Sequence, residues 1–221
     1  MKKYSEMLLE LIKERRSVRI FNGNKVPKEI IMKIIEAGIW APTGCNNQEL
    51  KFLVIENVKD LKKILEFKPF FKGVSTVLLV FYDMSLPRSH KMYVQRKTQS
   101  NLPYIDGGLA LSNMILYAKS EGVDSCIFNL SEYHLKKIKY DNSVKRVIGF
   151  IKRRIGFHKS EKENFEYFIR HEMKIPNHLK IICGVSLGYA KIYPDIKRVR
   201  HGGDKVMRSE AKSYIIKVGN D

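Results

Sequence analysis

Residues 77–82 form the longest uninterrupted apolar run in the chain, and that run constrains the fold more than any other feature. It is far short of the ~20 residues that a membrane-spanning helix needs. A short, valine-rich run within 74–82 predicts instead a strand buried inside a sheet. Helical and strand patterns surround it. Met7, Leu8, Leu11 and Ile12 recur at helical spacing and predict a short amphipathic helix over 4–13. Ile30, Ile31, Ile34, Ile35 and Gly38 predict a second helix, opened by Pro27 and ended near Pro42. The basic segment between them, 15–21, is too short for an element of its own. Further strands are expected at 51–56, 125–130, 179–187 and 213–218, and further helices at 58–67 and 106–122. The 106–122 helix is largely apolar and is stopped by Gly122, so it should be the most buried. Ser131 and Glu132 predict the start of a basic helix running through Leu135, Ile138 and Tyr140.

A chain of 221 residues can bury a core without staples and fits one domain, 1–221. Cys45, Cys126 and Cys183 are odd in number and far apart, so neither a disulfide framework nor a zinc ribbon is expected. The N-terminus has no signal-peptide core, no segment suits a membrane, and a reducing cytoplasm is the expected compartment. Residues 87–103 are polar, basic and longer than an ordinary loop, which makes them a candidate lid. Residues 142–174 are densely charged yet contain Val147, Phe150, Ile151, Phe165, Phe168 and Ile169, so they do not read as a disordered linker. Lys and Arg number 41 against 23 Asp and Glu, a net charge of +18. Such a balance suits nucleic acid, an acidic membrane face or small anionic ligands, and composition does not choose among them.

Three segments carry side chains suited to a site. Arg15, Arg16, Ser17 and Arg19 place three cations and a hydroxyl just after a helix, which suits a phosphate or another anion; the plainer reading is a solvated basic turn. Pro42, Thr43, Gly44, Cys45, Asn46, Asn47 and Gln48 follow a helix stop, and their amides offer the paired donors and acceptors that fit a heterocycle edge. The plainer reading there is a polar turn into the next strand. A third segment, with Gly188 at a strand end and Lys197, Arg198, Arg200 and Lys205 beyond it, adds cations that either complete an anion site or line a charged loop. There is no P-loop and no G-x-G-x-x-G. The six histidines show no H-E-x-x-H spacing, and no metal is expected. Cys126 and Cys183 lie in apolar strands and read as small core residues. Cys45, beside the amides, is the remaining thiol.

The order of these segments is more specific than any one of them. Arg15-Arg16-Ser17-Val18-Arg19-Ile20-Phe21 is followed by Val26, by Ile34-Ile35-Glu36-Ala37, and by Ala41-Pro42-Thr43-Gly44-Cys45-Asn46-Asn47-Gln48 with Phe52-Leu53-Val54. Asp106-Gly107-Gly108, Asn113, Ala118, Ile175-Pro176, Leu187-Gly188-Tyr189 and Arg200 continue the series. In this order they resemble the nitroreductase family of FMN-dependent oxidoreductases, over most of the chain outside 87–103 and 142–174. The resemblance implies an α+β fold: a three-layer α-β-α sandwich around a mixed, mainly antiparallel sheet, in an intertwined homodimer with FMN at the subunit interface. It implies that Arg15 reaches the flavin phosphate, and that Ser17 and Arg19 are flavin ligands, with Arg19 near the N1/O2 side, where a cation favours the reduced ring. Arg16 belongs to the same motif. Asn46 would bond the pyrimidine edge, Arg198 and Arg200 would form a second phosphate clamp, and Pro42, Thr43, Gly44 and Gln48 belong to the segment packed near the ring.

Two departures stand out. Glu49 and Leu50 replace the Pro and aromatic residue common after Gln48. Asn129-Leu130 stands where many members carry small glycines that place backbone N–H groups near flavin N5; the resemblance still implies Asn129 as a flavin ligand through its backbone, with different space above the ring. The resemblance implies ping-pong chemistry, in which NAD(P)H gives a hydride to FMN and a small organic acceptor, such as a nitro compound, a quinone or a biosynthetic intermediate, takes the electrons. No side-chain acid or base is implied, because the flavin carries the chemistry. The excess of cations favours NADPH over NADH. Two alternatives stand beside this reading. One is a basic module for nucleic acid or an anionic surface, using Arg15, Arg19, Lys136, Lys137, Lys139, Lys152, Arg153 and Arg154; nucleic acid is not the expected partner. The other is a flavoprotein of the same fold that does not use NAD(P)H.

Overall fold

The computed structural model describes residues 2–86, 101–130 and 165–194. In chain order the elements are α1 (Lys2–Glu14), β1 (Ile20–Phe21), α2 (Lys28–Ile39), a 3-10 turn (Gly44–Asn46), β2 (Leu50–Ile55), α3 (Val58–Phe67) and β3 (Thr76–Asp83). They continue with α4 (Leu102–Ser120), β4 (Asp124–Phe128), α5 (Phe165–Tyr167), which runs into a π-helical turn (Phe168–Glu172), β5 (Leu179–Gly188) and β6 (Ala190–Ile192).

Strand β3 is apolar on both sides because it lies inside the sheet, with β2 on one side and β5 on the other. The four-stranded order is β2-β3-β5-β4, antiparallel at every step. Alternate side chains of a strand point to opposite faces, and β3 feeds two separate cores. Val77, Leu79 and Phe81 pack with Leu61 and Ile64 of α3 and with Phe165, Phe168 and Ile169. Leu78 and Val80 pack with Ile31 and Ile34 of α2 and with Leu111, Met114 and Ala118 of α4. The fold is therefore α+β, with helices on both faces of the sheet. No helix among the described residues is long and apolar enough to cross a membrane.

Helix α3 coincides with its expected span, β2, β3, β4 and β5 agree within two residues at either end, and α2 starts within one residue of Pro27 but stops at Ile39, three residues before Pro42. The long helix begins at Leu102 rather than 106, because Pro103 occupies its first turn, where the missing N–H has no helical partner to lose. Residues 102–103 thus belong to a helix and not to the candidate lid. Segment 15–21 does contain an element: Ile20–Phe21 pairs antiparallel with β6. Two residues are too few to show a period of two, so neither partner was readable from pattern. The expected helix after Ser131, the strand at 213–218, and the segments 87–100 and 142–164 lie outside the described residues. Within the described part of 142–174, Phe165, Phe168 and Ile169 are buried in the core, while His171, Glu172 and Lys174 are exposed.

Candidate functional site

The basic segment is held against the free edge of β4. Val18 is fully buried in the core. Its N–H donates to the Ser125 carbonyl at 3.0 Å, and Ser17 forms a single parallel bridge with Ser125. On the far side, Lys72 N–H donates to Arg19 O at 3.0 Å, and Phe21 N–H donates to Lys72 O at 2.8 Å. Anchored at Val18, the segment leaves Arg15, Arg16, Ser17 and Arg19 half-buried.

The three guanidinium groups are in different states. Arg16 turns back onto the end of α1, donating to Lys13 O and, at 2.9 Å, to Arg15 O. Arg19 donates to its neighbour Ser17 O at 3.3 Å. The Arg15 guanidinium makes no hydrogen bond or ion pair among the described residues. Beneath them lies the Cys126 thiol, whose pKa burial pushes up while Arg19, a hydrogen bond with Ser17, and Arg15 pull it down. Asn129 follows β4 on the same edge and is exposed.

The amide segment is built differently. Gly44 N–H donates to both oxygens of Asp106, at 3.1 and 3.0 Å, which fastens the loop to the first turns of α4. Gln48 N–H donates to Thr43 Oγ1 at 3.1 Å. Gln48 Nε2 donates to Asn46 Oδ1 at 3.1 Å, so the two exposed amides form one unit. Asn47 Nδ2 donates to the buried carboxylate of Glu49. Pro42 is exposed, and Thr43 and Gly44 are half-buried.

The two segments do not meet within one chain. Strands β2 and β4 are the opposite edges of the sheet, about 14 Å apart at ordinary strand spacing. They also sit at opposite ends: Leu50 is level, through Tyr82, with Lys180 of β5, whereas Ser125 is level with Leu187. Seven residues of strand separate those rows, about 23 Å. Helix α4 gives an independent measure. Asp106, which holds the loop, and Ser120, which leads into β4, are about 21 Å apart along the helix axis. The chain thus carries an anion-suited corner and an amide-suited corner, diagonally opposed. Arg198 and Arg200 lie outside the described residues.

Sequence reasoning read Asp106 only as part of a family pattern and Glu49 only as a departure from one. The structure makes both of them supports of the amide loop. A signal existed for Asp106: it is the only acid in the apolar sequence of α4. Among the described residues no group of three or more His, Cys, Asp and Glu converges as a metal site.

A sequence profile of the nitroreductase family matches residues 12–189. The chain belongs to the nitroreductase family. It is 33% identical over 125 residues to a protein of Methanothermobacter thermautotrophicus named as a candidate NADH dehydrogenase/NAD(P)H nitroreductase, a match covering 55% of this chain and 60% of that relative. It is 29% identical over 114 residues to an iodotyrosine deiodinase of Thermotoga neapolitana, covering 39% of this chain and 61% of the relative. The nitroreductase fold is shared with a solved protein of Desulfovibrio desulfuricans crystallised in complex with FMN, at a TM-score of 0.57 and 18% identity over 97% of this chain and 98% of the other.

Proposed function

We propose that this nitroreductase-family protein is an FMN-dependent oxidoreductase that uses NAD(P)H to reduce a small organic acceptor, and that it works as a homodimer. The observation that carries the reading is the corner on β4, where the Arg15 guanidinium makes no hydrogen bond or ion pair among the described residues and stands beside Ser17 and Arg19 on a segment anchored by Val18. Half-buried guanidinium groups without carboxylate partners suit a phosphate or an electron-rich ring edge. The donor set fits FMN, whose phosphate and anionic edge call for cations and whose pyrimidine edge calls for amides.

Arg15 and Ser17 would hold the phosphate side, and Arg19 would lie where negative charge gathers on reduction. Asn46 and Gln48 would bond the heterocycle edge, and Pro42, Thr43 and Gly44 would pack beside it. When bound, FMN would supply hydride acceptance from NAD(P)H and electron delivery to the second substrate.

The homodimer reading follows from the diagonal placement of the two corners. In a two-fold dimer each surface patch meets its counterpart reciprocally, so the basic corner of one protomer can face the amide loop of its partner. An apolar surface is ready for such contact. Tyr4, Met7, Leu8, Leu9 and Ile12 of α1 are all exposed in the single chain, as is Trp40 at the end of α2, at 79%. An absorption spectrum of the purified protein, taken with added FMN and then NADH or NADPH without air, tests the reading. Bound flavin that bleaches supports it. Bound flavin that does not bleach leaves a flavoprotein without NAD(P)H activity, and absence of flavin binding contradicts it.

A further inference from the structure

Two carboxylates are buried among the described residues, Asp106 at 3% exposure and Glu49 at 5%, and both brace residues 43–49. Burying a carboxylate is costly unless donors compensate it. Gly44 N–H serves Asp106 and Asn47 Nδ2 serves Glu49, so loop and carboxylates stabilise each other. Space at Gly44 is limited by Leu102 rather than by Asp106. A Cβ there would lie 3.3 and 3.4 Å from the Leu102 methyl groups and 3.7 Å from an Asp106 oxygen.

Between the two braces the backbone is unusual. Cys45, Asn46 and Gln48 have φ of 54°, 53° and 51°, a left-handed region that non-glycine residues rarely occupy. Such conformations persist only where the surroundings over-determine them. Here they turn the Asn46 and Gln48 amides outward, joined to each other.

We infer that Asp106 and Glu49 are positioning residues that set the 43–49 loop in its ligand-ready shape before a cofactor arrives. The inference rests on the flavin reading for its ligand, but the loop shape can be measured without one. Preformed donors and acceptors bind more tightly because the ordering cost is met in folding.

The test compares Asp106→Leu, Asp106→Asn and Glu49→Leu with the unsubstituted protein. Amide hydrogen exchange across 43–49 and the thermal midpoint are measured in flavin-free protein, and FMN affinity is then measured by titration. Asp106→Leu is expected to speed Gly44 exchange by about tenfold or more and to weaken FMN binding by a similar factor. Asp106→Asn keeps an acceptor oxygen and should lose less of both. Unchanged loop exchange in Asp106→Leu, with only a lower midpoint, would overturn the inference, as would faster exchange with unchanged FMN affinity. If Asp106→Leu does not fold, Glu49→Leu, which removes the acceptor of the Asn47 amide, decides by the same two readings across 43–49. Failure of the unsubstituted protein to bind FMN would contradict the flavin reading, while the exchange data would still decide what holds the loop.

Discussion

Arg15 is the residue at which sequence and structure meet most directly. The segment 15–19 reads as suited to an anion, but three arginines within five positions look alike in sequence. Only the fold separates them: Arg16 closes α1, Arg19 leans on its own backbone, and Arg15 has no partner among the described residues. Arg15→Ala is expected to weaken FMN binding about 10- to 100-fold, the range for a lost charge-assisted hydrogen bond. Arg15→Lys should recover part of it, since charge returns but the planar fork does not. Fluorescence titration of FMN measures both. The cysteines give a second residue-scale prediction. Cys126 and Cys183 are buried and Cys45 is exposed. Burial pushes the Cys126 thiol up, and the Cys183 thiol up to about 12. In the native protein a thiol reagent at neutral pH should therefore modify Cys45 and leave the other two until unfolding. The unfolded chain releases the Cys183 proton near the ordinary thiol range, while the fold retains it to about 12. The folded state thus holds more protons in that window, and stability should fall as pH rises from about 9 toward 12. A series of thermal midpoints against pH would show the decline.

Elements were legible where a period had room to show itself. Helix α3 and strand β3 carry clear patterns over 10 and 8 residues. Strands β1 and β6 have two and three residues, and their pairing comes from long-range contacts that no local pattern encodes. The start of α4 was misplaced for a different reason, since Pro103 ends a loop as readily as it opens a helix. Strand packing also explains a glycine. Gly184 in β5 lies opposite Phe128 of β4, and a Cβ at Gly184 would fall 2.4 Å from the buried ring. That ring is itself held edge-on against Phe71, with centroids 5.2 Å apart. Gly184→Ala is expected to cost about 1–3 kcal/mol through overpacking, read as a lowered denaturation midpoint. An unchanged midpoint would mean that the Phe128 ring shifts freely.

At the scale of the whole molecule, the candidate site was legible as chemistry but not as a place. Sequence put cations at 15–19 and amides at 46–48, and nothing in either segment shows that β2 and β4 form opposite edges of the sheet. That separation is a property of strand order, and it supports the central proposal that one chain holds two half-sites and that a complete site needs two chains. The claim also gives a role to the exposed apolar residues of α1, which an isolated chain would leave in water. The most direct measurement is complementation between two damaged proteins, Arg15→Ala/Arg19→Ala and Asn46→Ala/Gln48→Ala, each unable to retain flavin alone. After mixing in equal amounts and allowing subunits to exchange, half of the dimers are hybrids, and each hybrid carries one intact corner pair and one doubly damaged pair. The mixture should then bind about a quarter of the FMN held by the unsubstituted protein. A mixture that binds no more flavin than its components, although hybrids have formed, would contradict a site shared between protomers.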